Sequence, residues 1–126
     1  MKAYDVIIIG AGVTGLAAGM YAGRLNLKTL VLGASSGSEL PVGGVITLTD
    51  TVENYPGFKR ITGMELAQKM HEHALDYSTV TVSEEQALTA QKIDNFFSIK
   101  TDKSTYKSKA IIIATGTKWR ELTMKG

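Results

Sequence analysis

An α/β fold is predicted by three features of the sequence. Residues 6–9, 28–32 and 110–114 are apolar runs rich in β-branched side chains, the composition of strands buried on both faces of a parallel sheet. The first run opens directly into a turn of three glycines and a stretch of small residues that suits a helix. Residues 86–104 instead interleave apolar and polar side chains around two turn signals. Together these describe a Rossmann-like parallel sheet built on a βαβ unit, with a small antiparallel β-meander attached.

In chain order, residues 3–9 end in Val6, Ile7, Ile8 and Ile9, with Asp5 just ahead of them. The turn of residues 10–15 passes into Leu16, Ala17, Ala18, Gly19, Met20, Tyr21, Ala22, Gly23 and Arg24, small enough to lie close against a sheet. Residues 28–32 form the second strand and complete a right-handed βαβ crossover. Residues 33–63 read as a long loop punctuated by Ser35, Ser36, Gly37, Pro41, Gly43, Gly44, Pro56 and Gly57. A connection of that length inside a compact domain is usually functional, so it is expected to wrap around a ligand.

Thr62 precedes Glu65 by three residues, a capping-box signature, and Leu66, Met70, Ala74 and Tyr77 follow as an apolar helical stripe. Residues 80–82 read as a short strand. Leu88, Ile93, Phe97 and Ile99 supply the apolar positions of the meander, with turns at Asp94 and Asn95 and at residues 102–104. The run 110–114 then returns to the buried sheet. The 126 residues, 44% of them apolar, suit one compact domain.

Composition removes several functions. A net charge of +2 without any run of like charge leaves no footprint for nucleic acid. No stretch approaches the roughly 20 apolar residues of a membrane span, and the chain enters its first strand without a signal peptide, so a cytoplasmic location is expected. The chain has no cysteine, and hence no disulfide, thiolate metal site or thiol nucleophile. His71 and His73 stand two apart in a helical stretch and face different ways, which favours a solvated surface over a metal pair. No catalytic residue and no metal ligand is assigned.

The chemistry lies in the glycine turn. Gly10, Gly12 and Gly15 fill the GxGxxG pattern where strand becomes helix. The first allows a tight turn, the second a close approach of a pyrophosphate to the backbone, and the third close packing of helix on strand. Bracketed by a strand and a helix, the pattern indicates a dinucleotide site of the FAD/NAD(P)-binding type rather than a merely structural turn. The fingerprint also expects an acid about 20 positions on for the ribose hydroxyls. That position falls near Gly33, and only Ser35, Ser36 or, from the loop, Glu39 could substitute.

The residues from Asp5 through Gly15, then Tyr21, Ala22, Gly23 and Arg24, then Leu27, Lys28, Thr29, Leu30 and Val31, resemble the opening of bacterial thioredoxin reductases. Gly43, Gly44, Thr47 and Thr49, with Val52, Glu53, Asn54, Tyr55, Pro56, Gly57 and Phe58, resemble that family's flavin-contact loop. Ile111, Ile112, Ile113, Ala114, Thr115 and Gly116 are similar to the second FAD motif of the wider pyridine nucleotide-disulfide reductase superfamily.

The resemblance implies an FAD site in which Gly10, Gly12, Val13, Thr14 and Gly15 form the phosphate turn. It further implies a flavin loop that includes Gly43, Gly44, Val45, Thr49 and Asn54, with Thr115 and Gly116 closing the cleft. Gln86 would lie by the adenine, mostly through its backbone. Asn54 also reads as a turn residue before Pro56 and Gly57. Three departures from the family pattern fall at the cofactor: Gly33 in place of the acid, Val13 and Thr14 in place of proline and alanine, and Val45 in place of glutamine.

By the same resemblance, residues 1–126 are the N-terminal part of an FAD-binding domain, in a parent that passes a hydride from NADPH to FAD and then electrons to a thioredoxin-like disulfide protein. In that family the NADPH domain, with its Cys-x-x-Cys pair, begins shortly after the Ala-Thr-Gly motif. The chain is therefore expected to be a piece of a longer reductase, inactive alone and a weak FAD binder or none. A homodimer is left open. Two other readings stand beside this one: a related ferredoxin or flavodoxin NADP reductase without the thiol pair, and a non-catalytic Rossmann module.

Overall fold

The computed structural model describes residues 1–35, 42–118 and 122–124. Its strands are β1 (Lys2–Ile9), β2 (Thr29–Gly33), β3 (Val80–Glu84), β4 (Ala87–Ile93), β5 (Phe96–Thr101) and β6 (Thr105–Ile113), with helices α1 (Val13–Arg24) and α2 (Gly63–Leu75). They form one six-stranded sheet in the order β3-β2-β1-β6-β5-β4. The three apolar runs lie as the sequence predicts, parallel and adjacent, with Val6 opposite Thr29 on one side and Ala110 on the other. β3 extends the parallel part, while β4, β5 and the first half of β6 form the antiparallel meander.

Alternation along β1 explains why its apolar run is continuous. Val6 and Ile8 join Val31, Ala22, Ala74 and Val80 in a core beneath the helices. Ile7 faces the other way and joins Leu30, Leu32, Ile99, Tyr4 and Tyr106. A smaller cluster of Val52, Ile61 and Leu66 fastens the loop segment 43–62 to α2.

Several expectations are corrected. α1 begins at Val13, three residues before the small-residue run read as helix, because Gly12 is its N-cap and its carbonyl accepts from the Leu16 N–H at 2.9 Å. β2 begins at Thr29 because the Lys28 N–H is turned to the Asp5 carboxylate, at 2.9 Å. β3 runs two residues further than residues 80–82. α2 ends at Leu75, before Tyr77, although Tyr77 still packs on the helix-side core.

The largest correction concerns residues 110–114. They pair with β1, but Ile112 is 40% and Ile113 70% exposed. β5 reaches only as far as Ser108 along β6, and the helices pack over β1, β2 and β3, so among the described residues this half of β6 has neither a strand on its outer side nor a helical cover. Leu88 and Ile93 are exposed as well, because β4 is the sheet's outer strand. No helix among the described residues is long and apolar enough to cross a membrane.

Candidate functional site

A cleft of about 820 Å³ opens at the carboxyl ends of β1, β2 and β6. β1 lies between β2 and β6 in this sheet, and the crevice above such a point, where the strand order reverses, is where open α/β sheets bind ligands. The volume falls within the roughly 300–1,000 Å³ of small-molecule pockets.

The floor is the glycine turn. Gly10 has φ +115°, and a Cβ there would stand 2.1 Å from the Ala114 carbonyl oxygen. A Cβ on Gly15 would stand 1.7 Å from the Gly10 carbonyl oxygen, so helix and strand are in backbone contact. These are the turn and packing duties expected of the first and third glycines. Gly12, the N-cap, has no side chain to accept from the first-turn N–H groups of α1, which point from the positive end of the helix dipole.

The second wall comes from residues 43–48 of the long loop. The Gly43 N–H donates to the Ala11 carbonyl at 2.9 Å and so docks this segment against the turn. A short 3-10 helix, Val45–Leu48, follows, held by the Thr47 hydroxyl donating to the Gly44 carbonyl at 2.7 Å. Of the residues expected in the site, Gly10, Gly12, Val13, Thr14, Gly43, Gly44, Val45, Gln86, Thr115 and Gly116 line this one cleft. Gly15 lies buried behind it, while Thr49 and Asn54 are exposed outside it, Asn54 just before the turn of residues 55–58. Ser35 is on the lining; Ser36 and Glu39 lie outside the described residues.

The main chain of Gln86, expected beside the adenine, is hydrogen-bonded to Asp102. Its N–H donates to the Asp102 carboxylate at 2.8 Å and its carbonyl accepts from the Asp102 N–H at 3.0 Å, so its main chain is engaged within the protein. His71 is half-buried; His73 is exposed on α2 and stacks on Tyr77 with ring centroids 6.3 Å apart.

The sequence reading passed over Glu85, which also lines the cleft and is 7% exposed. Its Oε1 accepts from the Ser83 and Tyr106 hydroxyls, both at 2.7 Å, and its Oε2 from the Thr101 hydroxyl at 2.6 Å. Burial pushes its carboxyl up, but the hydroxyls of Thr101, Tyr106 and Ser83 and the charge of Lys103 outweigh that, and its pKa stands below the ordinary value. Burial, with Glu85 beside it, holds the Tyr106 phenol above its ordinary pKa. The available signal was an acid directly after a strand, where α/β sheets place their ligands; reading that strand as residues 80–82 hid it. Among the described residues of the lining, Glu85 and Lys118 carry the charges.

The pyridine nucleotide-disulphide oxidoreductase family model matches residues 4–126. A Clostridium pasteurianum relative, the 34.2 kDa protein in rubredoxin operon, is 48% identical over 124 residues, covering 96% of this chain and 38% of its own length. The crystal structure of Lactococcus lactis thioredoxin reductase (FR conformation) superposes with a TM-score of 0.88 at 36% identity, over 98% of this chain and 39% of that one. The ferredoxin-flavin thioredoxin reductase of Clostridium acetobutylicum gives 0.78 at 31% identity, over 97% and 40%. The chain thus spans somewhat over a third of the length of the proteins it matches.

Proposed function

Because the chain belongs to the pyridine nucleotide-disulphide oxidoreductase family, we propose that it is the N-terminal part of the FAD-binding domain of a thioredoxin-reductase-like flavoprotein. The observation that carries this reading is the single cleft built from the glycine turn, Gly43 to Val45 and Thr115 with Gly116, at the glycine-capped start of α1. That donor set fits a dinucleotide: backbone N–H groups and a helix dipole for the diphosphate, and a largely apolar wall of Ile9, Ala11, Val45, Ile46 and Leu48 for rings.

In this assignment the turn of residues 10–15 holds the diphosphate, and Gly43, Gly44 and Val45 bound the flavin side with Thr115 and Gly116. Thr49 and Asn54 belong to the same loop and shape it from outside. Gln86 lines the adenosine end of the cleft, its main chain hydrogen-bonded to Asp102. FAD, when bound, supplies hydride acceptance and onward electron transfer to a disulfide. NADPH as donor, a thioredoxin-like protein as acceptor and a cytoplasmic setting are properties of the whole reductase in this reading. The Clostridium acetobutylicum neighbour is named for ferredoxin, so the donor is to be tested with both reductants.

The experiment is a fluorescence titration of the 126-residue chain with FAD and with ADP, repeated on Gly12→Asp, which sets a carboxylate at the helix start. ADP should bind the unchanged chain, FAD should bind it weakly or not at all, and the variant should lose at least about tenfold in affinity for ADP. An ADP affinity of the variant equal to that of the unchanged chain would place the diphosphate elsewhere and refute the assignment.

A further inference from the structure

Gly33, Ser35, Glu85, Gln86 and Ala87 line one end of the cleft together. That end lies at the carboxyl end of β2, toward which a diphosphate seated on the glycine turn of this fold directs its adenosine. Residues 85 and 86 link β3 to β4, and neither ladder includes them: β3 pairs with β2 up to Glu84, and β4 pairs with β5 from Ala87, opposite Thr101. The β4 register even slips between Ala87 and Thr89. The turn of residues 102–104 orders the link instead. The Asp102 carboxylate accepts from the Gln86 N–H at 2.8 Å, and the Asp102 N–H donates to the Gln86 carbonyl at 3.0 Å, so one residue takes both main-chain groups of another. On the other side of Glu85, the Lys103 ammonium donates to the Glu84 carbonyl at 2.6 Å. The turn is itself firmly closed. The Thr101 N–H donates to the Ser104 carbonyl at 2.8 Å, and the Thr101 hydroxyl accepts from the N–H groups of Lys103 and Ser104 at 3.1 and 2.8 Å.

We propose that Asp102 is a positioning residue for the adenosine end of the cleft: from outside the lining it holds the Gln86 main chain, so that residues 86 and 87 stand as a preformed wall for the adenosine. This rests on the dinucleotide reading of the cleft. Asp102 is exposed and is not among the lining residues, so it acts through Gln86 and not on the ligand. Its hydrogen bond to Gln86 is charge-assisted and lies at the surface. Without the carboxylate the Gln86 N–H turns to water, and the fold loses little. The cleft loses more, because a wall that is already ordered costs nothing when the ligand arrives, whereas a loosened one must be ordered at the ligand's expense. That cost falls on the adenosine and spares the diphosphate, whose donors lie at the glycine turn and the start of α1.

The test is an NMR titration of the full chain with ADP and with inorganic pyrophosphate, reading the two affinities and the Gln86 amide resonance. The unchanged chain should bind ADP more tightly, and ADP but not pyrophosphate should shift that resonance. Asp102→Ala should weaken ADP about fivefold and leave pyrophosphate within about twofold, a change of ratio that a general loss of stability would not produce. Asp102→Asn, whose side-chain oxygen still accepts from the Gln86 N–H, should recover most of the ADP affinity. An ADP affinity unmoved by Asp102→Ala, or a fall shared equally by both ligands, overturns the role of Asp102 and leaves the dinucleotide reading standing. Should Asp102→Ala fail to fold by circular dichroism, the unchanged chain decides: a Gln86 resonance that ignores ADP, or that answers both ligands alike, overturns the inference. Failure of the unchanged chain to bind either ligand overturns the dinucleotide reading with it.

Discussion

Gly10 and Glu85 are the residues on which the cleft depends most, for opposite reasons. Gly10 must have no side chain: at φ +115°, with the Ala114 carbonyl 2.1 Å from a Cβ, Gly10→Ala should cost about 2 kcal/mol or more, read as a lowered urea midpoint with an unchanged slope. Glu85 must keep its charge. A carboxyl whose pKa is lower in the folded than in the unfolded chain stabilises the fold above its unfolded value, about 4.3, and that contribution is lost as the pH falls through the folded value. Thermal melts between pH 7 and pH 3 should therefore show a steep acid loss that Glu85→Gln flattens. Part of the loss should persist in the variant, because the Lys109 ammonium and the Lys28 N–H also hold the Asp5 carboxyl below its ordinary pKa. Parallel profiles would show that the Glu85 carboxylate contributes nothing to stability. At this scale the glycine turn was legible because its constraints are local, fixed by backbone spacing within six residues. Glu85 was not, because its partners Thr101 and Tyr106 lie 16 and 21 residues away and only strand pairing brings them together.

The two helices begin in contrasting ways, and the contrast was half legible. α2 starts with a complete capping box: the Thr62 hydroxyl accepts from the Glu65 N–H at 3.1 Å, and the Glu65 carboxylate accepts from the Thr62 N–H at 3.3 Å. Thr62→Ala should cost about 1 kcal/mol, a fall of roughly 3–6 °C in Tm. Glu65→Gln should cost less, because a side-chain carbonyl can still close the box. A melt of Thr62→Ala within 1 °C of the unchanged chain would show α2 to be held by packing alone. α1 has glycine as N-cap, and its start was misplaced because Val13 and Thr14 carry no helical signature of their own. Among the strands, alternation identified the meander but not which of its apolar positions face water. Leu88 and Ile93 keep the pattern of Ile99, yet only Ile99 is buried, since lying on an outer strand is a property of the sheet order and not of the segment.

For the molecule as a whole, the parallel contact of the three apolar runs followed from their composition, whereas the sheet order did not. β6 is one continuous strand that joins the antiparallel and parallel parts of the sheet, antiparallel to β5 through Ser108 and parallel to β1 along its length. No segment-by-segment reading joins the meander's last strand to the apolar run at residues 110–113. This shared strand has a kinetic consequence. Pairing β1 with β6 brings together groups such as Asp5 and Lys109, 104 residues apart, so nearly the entire chain must be closed into a loop before the ladder returns any stability. Contacts of such long range are expected to form after the local helices and the β4–β5 hairpin, and refolding should take milliseconds to seconds. Ile7→Val, within that ladder, should accelerate unfolding and leave the refolding limb of the chevron nearly unmoved. The same timing applies to the cleft, whose floor requires the Ala114 N–H to reach the Ile9 carbonyl, a bond of 2.8 Å that exists only once the ladder has closed. An adenosine diphosphate ligand is therefore expected to find nothing to hold until the last step of folding, so that it lengthens the lifetime of the folded chain in stopped-flow unfolding while the rate of reaching that state stays the same.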